Sequence, residues 1–206
     1  GLKVHCAGDR AVTQMLDAVE AVRHFRGPTT VRHHIAHASY IRPEDIGRFA
    51  ELGVVADLCP MIWYPTTFLE GHKAVMGEER ATRFWPIAEL QRSGALLAGG
   101  SDWPVIPVPD PWHGIEGMVT RQNPSGAFPG VSLWPEQAID LATAIRIFTL
   151  NSAAAMGIDA ITGSIEPGKS ADIIVLDRNV FEVAPDTIAD TMVVTTYFEG
   201  RIVHQG

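Results

Sequence analysis

Over its first hundred residues the chain alternates short apolar runs with amphipathic stretches, and that rhythm constrains the fold more than any other feature. Leu2 to Cys6 is an apolar run closed by Gly8-Asp9, a strand followed by a turn. Ala11, Met15, Ala18, Val19 and Val22 then fall at helical spacing and predict an amphipathic helix over residues 9–25. Asp9 is placed to cap it and Gly27-Pro28 to stop it. Thr30 to Ala36 predicts a second strand. Pro43-Glu44-Asp45 predicts the start of a second helix, because proline fits a first turn and acids suit the positive end of the helix dipole. Ile46, Phe49 and Ala50 form its buried stripe, and Gly53 ends it. Val54 to Leu58 reads as a third strand, residues 59–84 as irregular, Pro86 as the start of a third helix, and Ala95 to Gly100 as a fourth strand. Parallel strands need crossovers, so four strand–helix units joined by short turns predict an α/β fold with a parallel sheet.

The rhythm then breaks. Residues 103–137 hold Pro104, Pro107, Pro109, Pro111, Pro124, Pro129 and Pro135, half of the 14 prolines, and predict a long loop of the lid or linker kind. A helix is predicted from about Asp140 to Met156. The tail is β in character, with strands at Ile173 to Leu176, Met192 to Phe198 and Arg201 to His204. Pro167-Gly168 and Glu199-Gly200 supply its turns. With 206 residues, 46% of them hydrophobic, the chain can bury one sizeable core plus a small appendage.

Charge narrows the partners. Sixteen basic and 24 acidic side chains leave a net charge of −8, without the positive footprint that phosphate binding needs, so no nucleic-acid partner is expected. No apolar run approaches the ~20 residues of a membrane helix, so no membrane partner is expected either. Two cysteines, Cys6 and Cys59, read as reduced thiols, and a cytoplasmic location is the expectation.

Three polar residues sit where parallel-sheet proteins place function, at the C-terminal ends of strands. His5 ends the first strand, His37 the second, and Asp102 follows the fourth. One histidine at a strand end is more often a structural hydrogen-bonding residue than a ligand. Three residues at matched topological positions point instead to a divalent metal such as zinc, which imidazole and carboxylate suit. Lys3 shares the face of His5 and reads as a stem reaching toward the base of the sheet. Cys6 reads as a packed thiol, and Cys59 as a thiol near a strand end. His33 and His34 read as structural, and His24, His72, His113 and His204 as lacking convergent partners. Trp63, Trp85, Trp103, Trp112 and Trp134 cluster around loops on the same side as the strand ends. They fit either the wall of an apolar pocket or plain loop packing.

The segments His5-Cys-Ala-Gly-Asp-Arg-Ala-Val, Arg32-His-His-Ile-Ala-His37-Ala, Gly100-Ser-Asp-Trp-Pro-Val, Thr149-Leu-Asn-Ser-Ala-Ala-Ala and Gly163-Ser-Ile-Glu-Pro-Gly-Lys-Ser-Ala-Asp-Ile-Ile-Val-Leu-Asp occur in this order. Together they resemble the amidohydrolase superfamily, in particular the family 3 group of YtcJ-like and exoenzyme-regulatory-like proteins. The resemblance implies a metal-dependent (β/α)8 TIM barrel with a small β domain, acting on amide or related non-peptide C–N bonds of small molecules. It implies that His5 and His37 are the metal ligands after the fifth and sixth barrel strands. Asp102 would be the aspartate after the eighth, both metal ligand and catalytic proton acceptor. Two departures stand out: Ala36 occupies a position that is usually glutamate, and His34 one that is often arginine.

On that alignment the chain holds strands five to eight only, with residues 1–160 as the C-terminal half of the barrel and 161–206 as part of the β domain. The first-strand histidine pair and the fourth-strand ligand have no counterpart. The expectation is therefore a fragment cut from a longer protein, inactive by itself, with a natural half as the other reading. Its open barrel edges predict a homo-oligomer. A non-catalytic regulatory or binding protein derived from the same fold is the alternative function.

Overall fold

The computed structural model describes residues 1–27, 29–106 and 109–206. Four parallel strands, β1 (Lys3–Cys6), β2 (His34–His37), β3 (Val55–Leu58) and β4 (Leu97–Gly99), lie side by side in chain order. The crossovers are helical: α1 (Asp9–Arg26) between β1 and β2, and α2 (Ile46–Glu51) between β2 and β3. Between β3 and β4 run α3 (Thr67–Met76), α4 (Glu78–Thr82) and α5 (Ile87–Arg92). The fold is therefore mixed α/β, as the alternation required.

The two faces of the sheet differ chemically because strand side chains alternate. Cys6, Ile35, Ala56, Leu58 and Leu97 join Val12, Leu16 and Val19 of α1, Phe49 of α2, and Ile87 and Leu90 of α5 in the main core. The opposite face carries Lys3, His5, His34, Ala36, Asp57 and Ala98. There Val55 and Ala98 of the sheet form a small apolar cluster with Ala155 of the later chain, with Leu96 packed against it. Among these residues, β1 and β4 each pair with one neighbour, so the sheet is open at both sides.

Several boundaries differ from the expectation. Gly8 is the cap position of α1, and Asp9 lies inside the first turn, where it pairs with Arg80 at 2.8 Å. Gly27 ends α1 at φ 77°, its N–H donating to the Arg23 carbonyl; Pro28, the other half of the expected stop, lies outside the described residues, as does Pro107. β2 starts at His34 rather than Thr30, because the ladder with β1 begins at Lys3 opposite His34 and Thr30 to Arg32 stay exposed outside it.

The stretch 59–84 is not irregular but holds α3 and α4. Leu69 is the single buried residue of α3, so no apolar stripe announces the helix. The proline-rich stretch is not one long loop either. It holds α6 (Pro111–Thr120), with Asp110 accepting the Trp112 N–H at 2.9 Å and proline in the first turn. The helix expected over 140–156 is two, α7 (Leu141–Phe148) and α8 (Leu150–Met156), broken at Thr149 where φ is −117° and ψ −98°.

The tail forms a separate antiparallel sheet of β5 (Ile173–Leu176), β6 (Val193–Phe198) and β7 (Arg201–Gln205). Glu199 (φ 50°) and Gly200 (φ 77°) make the β6–β7 turn, the paired positive φ that a two-residue hairpin demands. The connection before β6 returns to the first part of the chain. Val180 and Ile188 enter the main core, and the Ala189 N–H donates to Glu116 of α6 at 2.7 Å.

Candidate metal and proton-transfer site

The register of the sheet sets a puzzle. His5 lies beside Ala36, and His37 lies beside Cys6. Strict alternation would send His37 to the helix side with Cys6. The backbone prevents this: His37 (φ 73°) and Ala38 (φ 49°) both leave the extended region at the strand end. Left-handed conformations are rare for non-glycine residues and concentrate at functional sites. As a result the His37 ring meets His5, with Nε2 2.7 Å from His5 Nδ1 and ring centroids 4.3 Å apart at 72°.

The other ring nitrogen of His37 fixes the proton. Its Nδ1 lies 2.7 Å from the Cys59 carbonyl oxygen, which can only accept, so Nδ1 carries hydrogen and Nε2 is the lone-pair side. The bond between the rings is then donated by His5 Nδ1. Asp102 adds a carboxylate from the loop after β4. It too has positive φ (57°), and its Oδ2 lies 4.0 Å from His37 Nδ1. The structure thus brings His5, His37 and Asp102 together at the C-terminal ends of the strands. It does not gather them around one point: His5 faces one nitrogen of His37 and Asp102 approaches the other. Among the described residues no group of three or more His, Cys, Asp or Glu side chains is arranged to hold a metal ion.

Around the pair, Cys59 places its sulfur 3.7 Å from His37 Nδ1. Burial, and then the nearby Asp57 carboxylate, push the Cys59 thiol up to about 12. Cys6 is buried in the core, its thiol also raised by burial.

Sequence reasoning missed Asp57. It sits mid-β3 in the row His5–Ala36–Asp57–Ala98, the one acid in the apolar run Val54-Val55-Ala56-Asp57-Leu58. That isolated acid was the available signal, since a carboxylate enters a buried strand only with partners. Its partners are Lys3 Nζ at 2.7 Å and His34 Nδ1 at 3.4 Å, and His34 Nε2 reaches the Ala155 carbonyl at 3.1 Å. Lys3 therefore crosses the sheet face to an ion pair instead of reaching toward its base. Burial opposes the Lys3 ammonium, but Asp57 outweighs it and holds Lys3 above the usual lysine range.

The tryptophans divide. Trp63, Trp85 and Trp112 are core residues, Trp134 stacks on Arg83, and Trp103, beside Asp102, is 66% exposed. His72 does have a partner, the Tyr40 hydroxyl at 2.9 Å, and His33 accepts a long 3.4 Å contact from the Leu2 N–H. Several concavities lie elsewhere. One of about 730 Å³ runs between α7, α8 and β5, and one of about 470 Å³ lies beside Lys3, Arg32 and His34. Another of about 630 Å³ lies beside Arg23, Val31 and Leu52, and one of about 510 Å³ beside Ile46, Arg83 and Arg92.

An open parallel sheet with imidazoles and a carboxylate at its strand ends defines the class as a mixed α/β protein, and comparison with known sequences narrows it further. The model of the amidohydrolase family matches residues 1–204, and the chain belongs to that family. It is 32% identical over 203 residues to Protein LONG AFTER FAR-RED 3 of Arabidopsis thaliana, covering 96% of this chain and 33% of the relative. It is 30% identical over 208 residues to the N-substituted formamide deformylase of Arthrobacter pascens, covering 99% and 36%. Among solved structures, an uncharacterized metal-dependent hydrolase from Pyrococcus horikoshii OT3 superposes with a TM-score of 0.68 at 26% identity, covering 89% of this chain and 35% of that one. The chain spans about a third of the length of these relatives.

Proposed function

We propose that this chain is the part of a metal-dependent amidohydrolase that contributes His5, His37 and Asp102 to a site hydrolysing amide or related non-peptide C–N bonds of small molecules. The carrying observation is the His5–His37 pair with His37 Nδ1 tied to the Cys59 carbonyl. A metal-binding histidine commonly donates its second N–H to a carbonyl or carboxylate, which orients the ring and leaves the other nitrogen free to ligate. The donor set of two imidazoles and a carboxylate fits a divalent metal, zinc above all. His5 and His37 would hold it, together with Asp102. A bound divalent ion lowers the pKa of water toward neutrality and polarises a carbonyl. Asp102, a partly exposed carboxylate, would take the proton of the attacking water at Oδ2 and pass it to the leaving nitrogen. The pair Lys3–Asp57 would stiffen the sheet face beneath His5.

In this reading the four-stranded sheet supplies strands five to eight of a (β/α)8 barrel, residues 1–160 form its C-terminal half, and 161–206 belong to a small β domain. The open sides of β1 and β4 would pair with further strands, or with a second copy of the chain. The similarity to an N-substituted formamide deformylase makes N-substituted formamides the first substrates to try. Free, buried Cys6 and Cys59 suit a reducing compartment such as the cytoplasm. No helix of the described residues is long and apolar enough to cross a membrane.

One observation favours a second reading, a regulatory or binding protein without turnover: no three donors converge among the described residues. Metal analysis separates the two. The 206-residue chain alone is expected to retain little zinc after dialysis and to show no amidase activity. The longer protein containing it is expected to hold zinc that His5→Ala and His37→Ala remove, and to hydrolyse N-substituted formamides. A longer protein that is metal-free and inert would establish the second reading instead.

A further inference from the structure

The conformation that brings His37 to His5 is held from a distance in sequence. Trp85 is 1% exposed and lies just before α5. It donates two hydrogen bonds to one short stretch: its backbone N–H to the Ser39 carbonyl at 2.8 Å, and its indole Nε1–H to the His37 carbonyl at 2.6 Å. Both left-handed residues are held there: His37 (φ 73°) carries the first of those carbonyls, and Ala38 (φ 49°) lies between the two. Such residues persist only where the surroundings over-determine them. Trp85 is itself fixed. Its ring packs edge-on against Trp63, centroids 5.8 Å apart, and lies tilted by 48° against Phe84 at 4.1 Å. The fully buried Arg121 donates to the Phe84 carbonyl and to the Leu133 carbonyl, both at 2.8 Å, tying the segment to the end of α6.

We infer that Trp85 is a positioning residue for His37: its indole N–H holds the left-handed turn that swings the imidazole out of strand alternation and onto His5. The use made of that pair rests on the function proposed above; the positioning itself does not. His37 is tethered twice, by its ring to Cys59 and by its backbone to Trp85. Removing the indole donor leaves the first tether and frees the second. The strand end can then relax toward extended backbone, which would carry the ring to the Cys6 side of the sheet.

The test replaces Trp85 by benzothienylalanine, whose sulfur keeps the shape of the ring and removes only the N–H. Imidazole ¹⁵N–¹H NMR of the metal-free chain reads the result. Native protein is expected to show His37 protonated on Nδ1, with a proton shared between His5 and His37. The substituted chain, folded by circular dichroism, is expected to lose the shared-proton signal. The same replacement at Trp63, whose indole donates to Gly114 instead, is expected to leave it intact. A substituted chain that keeps the signal would overturn the inference. Where the variant does not fold, hydrogen exchange of the native Trp85 indole N–H decides. Strong protection supports the tether, and exchange at the rate of a free indole overturns it. Zinc binding by the longer protein tests the proposed function separately, so either can fail alone.

Discussion

Gly117 and Gly71 are both helical glycines, and the same change to alanine should move stability in opposite directions. Alanine in a helix interior is favoured over glycine by about 1 kcal/mol. At Gly71, in the middle of α3, an added Cβ meets nothing within 4 Å, so that gain stands alone. At Gly117, on the buried side of α6, the Cβ would lie 2.9 Å from Tyr64 Cε1, nearer still to Tyr64 Cδ1, and 3.2 Å from Trp63 Nε1. Ordinary contacts between carbons fall at about 3.5–4.0 Å, so the Tyr64 ring must move by about an ångström or more. The Tyr64 backbone is held on both flanks: its chain neighbours Trp63 and Pro65 are buried, and the Trp63 indole is bonded to Gly114 at 2.9 Å. Overpacking of this kind costs about 1–3 kcal/mol, and a contact this short belongs at the upper end. Subtracting the propensity gain leaves Gly117→Ala destabilised by about 2 kcal/mol. For a chain of this size each kcal/mol moves Tm by about 2–4 °C, so Gly117→Ala should melt ~4–8 °C lower and Gly71→Ala ~2–4 °C higher. Differential scanning calorimetry reads both. A Gly117→Ala protein melting at or above the native temperature would refute the packing argument, because the propensity term would then have gone unopposed.

Asp140 caps α7 by accepting from the Thr143 N–H at 2.8 Å and hydroxyl at 2.7 Å. The hydroxyl first, then the N–H, hold its carboxyl below the usual range. A depressed folded pKa contributes fully above the unfolded value of about 3.9 and is lost as pH falls through the folded value. Asp140→Ala should therefore cost about 1 kcal/mol at pH 7, and urea titrations should find the gap narrowing at acid pH; a gap independent of pH contradicts the cap. Cys6 and Cys59, buried and raised, should resist iodoacetamide at pH 8 until denaturant is added, and mass spectrometry of the native protein should find neither alkylated. Arg48 holds Asp45, Asp17 and Glu20 at 2.7–2.8 Å, and only Asp45 is buried. Arg48→Met should cost about 2 kcal/mol by stripping a buried carboxylate of its charged partner, whereas Glu20→Gln should cost a few tenths; equal losses would refute the distinction.

The alternation of apolar runs with amphipathic stretches determined the parallel sheet and three crossover helices, because each of those elements buries a regular stripe that periodicity exposes. The turn residues did the same for the β6–β7 hairpin, where Glu199-Gly200 permits the positive φ that the turn needs. The order of the strands within the sheet is not a periodic property and came from the tertiary structure. Where a helix buries one residue, as α3 does with Leu69, or is buried nearly all round, as α6 is, the stripe disappears and so did the prediction. His5, His37 and Asp102 were legible as residues at strand ends, and chain order alone put them at one end of the sheet. Their meeting was not legible. Strand register assigns His37 to the opposite face from His5, and only the left-handed backbone at His37 and Ala38, held by a tryptophan 48 residues away, reverses it. The partners of Asp57 were hidden for a related reason. A carboxylate's acceptability in a strand depends on which side chains reach it across the sheet, and here His34 comes from the adjacent β2 and Lys3 from β1 beyond it. Periodicity is a local property of the chain and can be read from it; a side chain's partner across the sheet depends on register and on backbone strain, which only the folded structure sets.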